Sequence, residues 1–549
     1  MAADMAARSG RRHTVTTQGV QMFRLTPLSP MGGCGLVSVC ALVLSAFGFL
    51  DGVRQNPTFQ WSFLGAAVLL LVWSAGVFGL AHRRGRRLTL ESAVRTPHLV
   101  QATAQVAFLL YWGWYWRQVY DSAFLIAAQL IFAYAFDMLL CWSRRDSYTL
   151  GFGPVPVILS INLFLWFTDD WFYLQFLLVA VGFAAKELIQ WDKGGRRVHI
   201  FNPSSFPLAV FSLALILTGT SDLTWGQDIA SAQFSPPHVY LVLFLVALPG
   251  QYLFGVASMT MSAVAVTYVF SLVYFAVTGV YYFYDSYVPI AVFLGMHLLF
   301  TDPSTAPRTE LGRLMFGVSY GLSTVALYAL LSRAGVPPFY DKLLQVPILN
   351  ISIQLLDRMA HSRRLRTIDP AAFARALVSR QRNLAYMVVW AGMFTLMSTL
   401  QGVGDRHPGQ WLPFWQGACN DERGSACRYL ADLHLRFCEN GSGWACNEAG
   451  ILQVTLVVSG EVRRRVDAED AYGRFDQGCD LGFEPACRNL ISLGSGPGPY
   501  DFDRAQPTLE DFPIILRGTK GPITDRSPEV LYALACRQGW ADTCGRSTF

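Results

Sequence analysis

The chain has 549 residues, of which 52% are hydrophobic and 15% are charged, and its formal net charge is +5 at pH 7. Soluble proteins carry charge on about a quarter of their residues, so this composition excludes an ordinary soluble protein of one domain. The positive residues form short clusters between apolar runs and do not gather on one basic face, which argues against a nucleic-acid partner and indicates a lipid membrane.

The polar and basic segment 1–30 is predicted to be a cytoplasmic N-terminal tail, and the apolar run that follows it to be an uncleaved first transmembrane helix. A helix that spans a bilayer needs about 20 mostly apolar residues. This criterion predicts thirteen transmembrane helices, at 33–53, 61–81, 97–115, 122–142, 150–167, 171–190, 205–220, 238–255, 258–279, 287–300, 315–333, 344–359 and 384–401. They divide into a transmembrane domain, 31–360, a basic cytoplasmic linker, 361–383, and a last transmembrane helix, 384–402.

Basic clusters follow only the even-numbered predicted helices. They lie at 83–87, 144–145, 193–197, 308–313 and 358–382, whereas acidic or neutral loops follow the odd-numbered helices at Asp51, Asp121, Asp169-Asp170 and Asp222. Because Lys and Arg of short loops stay on the cytoplasmic side, the N-terminus is predicted to be cytoplasmic and everything after helix thirteen to be outside. The expected location is a bacterial inner membrane, with residues 403–549 as a periplasmic domain.

Ionisable side chains inside predicted spans are candidates for function, because burying them in hydrocarbon is costly. Asp137 and His297 lie deep in their spans, and each could instead satisfy a neighbouring backbone group. Lys186-Glu187 and Asp357 lie near span ends, where reaching out to water is the simpler explanation.

Two cytoplasmic loops carry polar turns that contain proline, Phe201-Asn202-Pro203-Ser204 and Thr301-Asp302-Pro303-Ser304-Thr305. Proline ends a helix, and non-helical backbone at membrane depth needs protein or a water-lined cavity around it. The two breaks are therefore predicted to face one polar site, in which arginines hold an anionic group such as a phosphate or anchor the cytoplasmic face. The candidate residues are Asn202, Ser204, Thr301, Asp302, Ser304 and Thr305, with Arg196, Arg197, Arg308 and Arg313. The alternative is that the polar residues are ordinary helix caps.

These motifs resemble those of the NqrB/RnfD family, the flavin-carrying membrane subunits of sodium-pumping NADH:quinone reductase and of Rnf-type electron-transport complexes. Phe201-Asn202-Pro203 is similar to the first family element, and Thr301-Asp302-Pro303-Ser304-Thr305-Ala306 with Gly312-Arg313 and Phe316-Gly317 is similar to the second. The resemblance covers about residues 90–360. The extended first motif also resembles the UnbU-like branch of the family.

The resemblance implies a helical fold with two inverted repeats and an FMN attached to a threonine. The nearest segment here, Ile229-Ala230-Ser231-Ala232-Gln233-Phe234, contains no threonine. A non-covalent FMN or riboflavin, a quinone, and no cofactor therefore remain open. The resemblance also implies redox partner subunits, because no nucleotide-binding motif occurs in the chain.

Eight cysteines after residue 403 form four pairs with i, i+8 spacing. The predicted disulfides are Cys419–Cys427, Cys438–Cys446, Cys479–Cys487 and Cys536–Cys544. A glycine lies in each interval (Gly424, Gly441, Gly482 and Gly539), where one helix can end and the next can begin. Zinc sites favour shorter Cys-x2–4-Cys spacing, so disulfides, and with them an oxidising compartment, are the preferred interpretation and no metal site is predicted.

These units resemble Sel1-like repeats of the cysteine-rich type, which stack helix pairs into an α-solenoid. The Gly/Pro-rich insertion 495–499 is predicted to be a surface loop, and His434 to be an ordinary core or surface histidine. Such a solenoid suits protein binding on its concave face, or serves only as a stable outer cap. The predicted fold class is thus an all-α polytopic membrane protein with a C-terminal, disulfide-stapled α-solenoid.

Three functions are compatible with this sequence. The first is electron transfer by a flavin- or quinone-binding membrane subunit, with or without coupled ion transport. The second is a transporter or channel on the same scaffold without a cofactor. The third is a membrane-anchored protein-binding module that acts through its repeats.

Overall fold

In a computed structural model, the chain is mostly helical and forms two compact units. The structure describes residues 20–24, 29–192, 195, 197–365, 367–373, 377–400, 403, 407–423, 426–458, 468–494, 501–516, 523 and 525–546. The first unit contains residues up to 234, 240–266 and 290–392, and the second contains 235–239, 267–289 and 393–549. Most of the predicted tail, Arg196, Gly424 and the insertion 495–499 lie outside the described residues.

The helices of the first unit cover most of its length, and Ala257–Thr278 and Ser379–Leu400 continue into the second unit. The helices are Pro30–Phe47, Asp51–Arg54, Pro57–Arg83, Thr96–Tyr115, Gln118–Asp121, Ala123–Arg144, Pro154–Asn162, Tyr173–Leu188, Ser205–Thr218, Gly226–Ala232, Val239–Phe254, Ala257–Thr278, Ile290–Leu294 with a π-helical turn Gly295–Leu299, Glu310–Ala334, Gln345–Ala360, Pro370–Phe373 and Ser379–Leu400. A helix thus lies in each of the thirteen predicted segments.

Five of the described helices are long and apolar enough to cross a membrane, which agrees with a membrane protein. They are Pro57–Arg83, Ala123–Arg144, Ala257–Thr278, Glu310–Ala334 and Ser379–Leu400. Shorter apolar helices include Met31–Phe47, Ser205–Thr218, Val239–Phe254 and Ile290–Leu299.

Two small sheets depart from the all-α prediction. Val20–Arg24 pairs antiparallel with Thr89–Arg95, which pairs parallel with Ser147–Leu150. Gln190–Asp192 and Arg197–His199 form a short hairpin directly before the first motif. These strands have three to seven residues and lie in polar loops. They therefore lack the alternation of apolar and polar residues that predicts a strand.

The segments 150–167 and 287–300 differ from the continuous spanning helices predicted there. The first contains a helix of nine residues, Pro154–Asn162, and the second contains five α-helical residues followed by a π-helical turn. Nine residues extend a helix by only about 14 Å, less than half of the hydrocarbon core. Most side chains in both segments are buried, including those of the non-helical residues 163–167, so other protein segments surround this backbone.

Contacts join the loops that follow even-numbered predicted helices in the first unit. The links are Arg86–Asp146 at 2.6 Å, Arg145–Glu187 at 3.1 Å, His199–Asp302 at 3.4 Å, Arg313 to the Gly255 carbonyl at 2.6 Å, and the Arg308 backbone N–H to Asp357 at 3.0 Å. The basic clusters therefore belong to connected groups of neighbouring loops.

The loops after odd-numbered predicted helices form a separate set of contacts. Asn56 donates to Asp170 at 2.7 Å, and the Thr168 N–H donates to the Leu223 carbonyl at 3.0 Å. The rings of Trp116 and Trp166 stack with centroids 5.5 Å apart, and Tyr340 donates to Ser221 at 3.0 Å. These contacts join loops that follow odd-numbered predicted helices to one another.

The second unit consists of short helices joined by disulfides. Its helices are Leu412–Asn420, Ala426–Glu439, Gly443–Val458, Ala468–Asp480, Glu484–Gly494, Phe512–Ile515 and Pro528–Arg537. Disulfides join Cys419 to Cys427, Cys438 to Cys446, Cys479 to Cys487 and Cys536 to Cys544, with Cα–Cα distances of 4.5–4.8 Å. This is the predicted pairing, and each bond links the last turn of one helix to the start of the following segment.

Segment 267–289 belongs to the second unit, which therefore starts earlier in the chain than residue 403. The Tyr281 ring packs 4.1 Å from His407 and 4.8 Å from Phe414, measured between centroids. Arg436 donates to the Tyr284 hydroxyl at 2.9 Å. An aromatic cluster thus holds this segment against the helices that follow residue 407.

Candidate functional site

Asn202 of the first motif starts a helix and also contacts the second broken helix. Its Oδ1 accepts hydrogen bonds from the backbone N–H groups of Ser204 and Ser205, both at 3.0 Å, which caps Ser205–Thr218. Its Nδ2 donates to the Leu299 carbonyl at 3.0 Å. The buried Asn202 side chain therefore satisfies backbone groups left free at both helix breaks.

Asp302 of the second motif lies beside the first motif. Its Oδ1 accepts from the Ser304 N–H at 2.9 Å, and its Oδ2 lies 3.4 Å from both His199 Nε2 and the Thr305 hydroxyl. Burial alone would raise the pKa of Asp302, but the hydrogen bonds from His199 and Ser304 outweigh it, and the pKa is lowered from its ordinary value. Asp302 is therefore a half-buried carboxylate held ionised by its neighbours.

Asn350 ties the two motifs together, although nothing in the sequence pattern singled it out. Its Oδ1 accepts from the Asn202 N–H at 3.1 Å, and its Nδ2 donates to the Thr305 carbonyl at 3.4 Å. The structure thus brings together Asn202, Ser204, Asp302, Ser304 and Thr305. An amide in the apolar first half of a predicted span is the signal that could have identified Asn350.

Arg313 holds backbone in place in this structure. Its Nε donates to the Pro307 carbonyl at 3.0 Å, and its Nη1 donates to the Gly255 carbonyl at 2.6 Å. The second arginine of this motif, Arg308, has its backbone N–H bound to Asp357, which also accepts from the Thr309 hydroxyl at 2.7 Å. Asp357 therefore caps the start of Glu310–Ala334 and does not merely reach to water at a span end.

A small cavity lined by both apolar and polar residues lies beside the π-helical turn, with room for about one water molecule. Its lining includes Gln101, Gln251, His297 and Thr301. His297 is 2% exposed, and its Nδ1 lies 2.7 Å from the Phe293 carbonyl while Nε2 has no partner within the described part of the chain. Both polar atoms of the Gln251 amide are likewise buried without a described partner.

Gln101 and Gln251 were missed because only ionisable residues were sought inside the spans. Thr301, which was predicted, lines the cavity and donates to the His297 carbonyl at 2.8 Å. Buried polar atoms without protein partners are uncommon and are usually served by water or by a ligand. The cavity is therefore a place in the first unit where a small polar species can be accommodated.

A second buried charge pair lies near the motif residues. Lys186 Nζ is 3.4 Å from Asp137 Oδ2, and the Asp137 side chain is 7% exposed. The charges of both Lys186 and Asp302 act on His98, which therefore lies close to both pairs. His98 is one helical turn from Gln101, so ionisable groups and the cavity share one end of Thr96–Tyr115.

No family model, curated protein or solved structure matches this chain. The similarity to the NqrB/RnfD family therefore depends on the two motifs alone.

Proposed function

We propose that the chain crosses a bacterial inner membrane thirteen times, with a cytoplasmic N-terminus and with residues 403–549 in the periplasm. The two sets of loop contacts support this arrangement, because each set matches one side of the predicted alternation. The broken helices would complete their crossings with non-helical backbone shielded by protein. The four disulfides support an oxidising compartment for residues 419–544.

We further propose that the first unit conducts protons across the membrane. The observation that carries this proposal is the cavity at the break in Ile290–Leu299, where His297 Nε2 and the Gln251 amide have no described protein partner. A neutral imidazole and one enclosed water can pass a proton along hydrogen bonds. The pairs Asp137–Lys186 and Asp302–His199 supply ionisable groups close to the same end of the path.

The test is proton flux into liposomes that contain the full-length protein and an internal pH-sensitive dye, driven by a potassium diffusion potential. His297→Phe keeps an aromatic ring beside Phe293, whose centroid lies 4.1 Å away, but removes the ring nitrogens. We expect this variant to lose about an order of magnitude or more of the flux.

His407→Phe is the matched control, because His407 is also a buried histidine packed against aromatic rings, but it belongs to the second unit. Its flux should equal that of the unmodified protein. Flux no greater than in protein-free liposomes, or equal flux with His297→Phe, would contradict the proposal.

Electron transfer through a quinone or riboflavin is the second candidate, and the likeness of the two motifs to the NqrB/RnfD family favours it. Arg313 and Asn202 already bind backbone groups, so neither of these two side chains is free to hold a phosphate. A ligand without phosphate, supplied with electrons by a partner subunit, is the form of this candidate that we favour. The absorption spectrum of the purified protein in the near-ultraviolet and blue range, with a solvent extract assayed for quinone, decides this point.

A further inference from the structure

The second unit contains a cleft of about 640 Å³. Its walls come from Leu412–Asn420, Ala426–Glu439, Gly443–Val458 and the C-terminal segment. Trp444, Phe512, Tyr532 and Trp540 supply an aromatic surface, and polar groups stand beside them. A cleft of this size, with aromatic walls and a few polar groups, is typical of a site for a small ligand or a peptide.

One edge of this cleft is an extended piece of the chain itself, 501–508, which contains no helix or strand. Asn489 binds the backbone of this piece, because its Oδ1 accepts from the Asp503 N–H at 2.7 Å and its Nδ2 donates to the Asp503 carbonyl at 2.8 Å. Asn447 also donates to that carbonyl, at 3.2 Å, and Trp444 Nε1 donates to the Ala505 carbonyl at 2.9 Å. The helices therefore bind extended polypeptide here through side-chain amide and indole groups.

The extended piece leads into the cleft, where Arg504, Ala505, Gln506 and Pro507 form part of the lining. Its charge is compensated locally, since Arg504 lies 3.2 Å from the buried carboxylate of Glu448. Beyond this pair, the edges of the cleft also carry Glu422, Asp542 and Arg546, which are exposed. A ligand in the interior therefore needs no charge of its own.

Two aromatic residues of the wall carry unsatisfied ring nitrogens. His434 is 1% exposed with Nδ1 unpartnered in the described residues, and the same holds for Nε1 of Trp540, which is 9% exposed. Burial lowers the pKa of His434 to about 3, so its ring is neutral and offers one donor and one acceptor. Peptide groups, which carry both a donor and an acceptor, complement such a wall.

We propose that this cleft binds an uncharged, extended peptide segment of a partner protein, with an aromatic side chain against the Trp444–Trp540 wall. The bound peptide lies next to residues 501–508. Side chains of the cleft hydrogen-bond to the backbone of the peptide, as they do to the backbone of 501–508. The proposal is independent of proton conduction by the first unit.

The test uses the full-length protein in detergent and the blocked peptide acetyl-Gly-(4-fluoro-Phe)-Gly-amide, observed by fluorine NMR. Ala541→Trp places a large ring in the cleft from an exposed position, and Gln416→Trp does so from a different helix. Gly473→Trp is the control, because Gly473 is exposed and lies outside the cleft, and a side chain at this position would meet open space.

The fluorine signal should broaden with the unmodified protein and with Gly473→Trp, and binding should be roughly tenfold weaker in both cleft variants. Equal broadening with all four proteins would show partition into detergent and overturn the proposal. The absence of broadening with the unmodified protein would overturn it as well. So would displacement of the peptide by N-acetylglucosamine at equal concentration, because the cleft would then prefer a sugar.

Discussion

A single backbone position recurs in the four cysteine units, three residues after the first cysteine of each pair. Gly441, Gly482 and Gly539 have φ values of +96°, +81° and +99°. In the first cysteine pair, Cys419–Cys427, Glu422 takes this position with φ +53°. The left-handed conformation costs a residue with a side chain about 1–2 kcal/mol and costs glycine little. Gly424, the glycine that the sequence analysis assigned to this turn, therefore does not occupy the position that the other three glycines share.

This register predicts opposite effects for two substitutions. Gly482→Ala should destabilise the second unit by about 1 kcal/mol, whereas Glu422→Gly should stabilise it by a similar amount. The measurement is thermal unfolding of the full-length protein under non-reducing conditions. Gly473→Ala, at an exposed helical position, is the control and should not lower the melting temperature. A stabilising Gly482→Ala would show that the turn does not require a left-handed residue.

The buried histidines of the second unit predict a dependence of its stability on pH. Burial lowers the pKa of His434 and of His407 from an ordinary 6.5 to about 3. Between these values the unfolded chain binds protons that the folded chain does not. Above pH 6.5 these two histidines therefore do not lower the free energy of unfolding. As the pH drops toward 3, each of them lowers it by about 1.4 kcal/mol per pH unit.

The measurement is the melting temperature at a series of pH values from neutral to mildly acidic, and His434→Phe should reduce the slope. The exposed His361 provides the control, since His361→Phe should leave the slope unchanged. A melting temperature that rises on acidification would contradict the assignment of neutral buried histidines.

At the scale of elements, hydropathy located a helix in every predicted segment but could not show where a helix breaks. Residues 150–167 and 287–300 are mostly apolar, so a hydropathy window does not distinguish a short buried helix from a spanning one. The three-stranded sheet and Asn350 were missed because their partners are distant in sequence. The motif residues were found, but their role as caps depends on contacts that only the fold supplies.

Asn202 should be the most sensitive of the motif residues, because its side chain serves two helix breaks. Asn202→Ala removes the cap of Ser205–Thr218 and leaves the Leu299 carbonyl without its donor, which should cost about 2 kcal/mol. Ser29→Ala removes a single cap at an exposed site and should cost about half as much. Comparison of melting temperatures in detergent checks this order, and equal shifts would contradict a dual role for Asn202.

At the scale of the whole molecule, charge and contacts give the same division of the loops. The sequence assigned basic loops to one side through the alternation of clusters, and the fold joins those loops by hydrogen bonds and ion pairs. The acidic loops form their own set of contacts through Asp170 and its neighbours. Agreement between charge and contacts is what a multi-pass protein with short loops should display.

The basic loops and the disulfide-linked residues 403–549 are proposed to lie on opposite sides of the membrane. The rest of the account depends on this arrangement. The measurement labels intact cells with a membrane-impermeant maleimide, using proteins in which Cys34, Cys40 and Cys141 are replaced by alanine and one exposed residue is replaced by cysteine. Gly473→Cys should react in cells whose outer membrane is permeable, and His361→Cys only after the inner membrane is opened. Reaction of both cysteines from the same side, or the reverse pattern, would contradict the account.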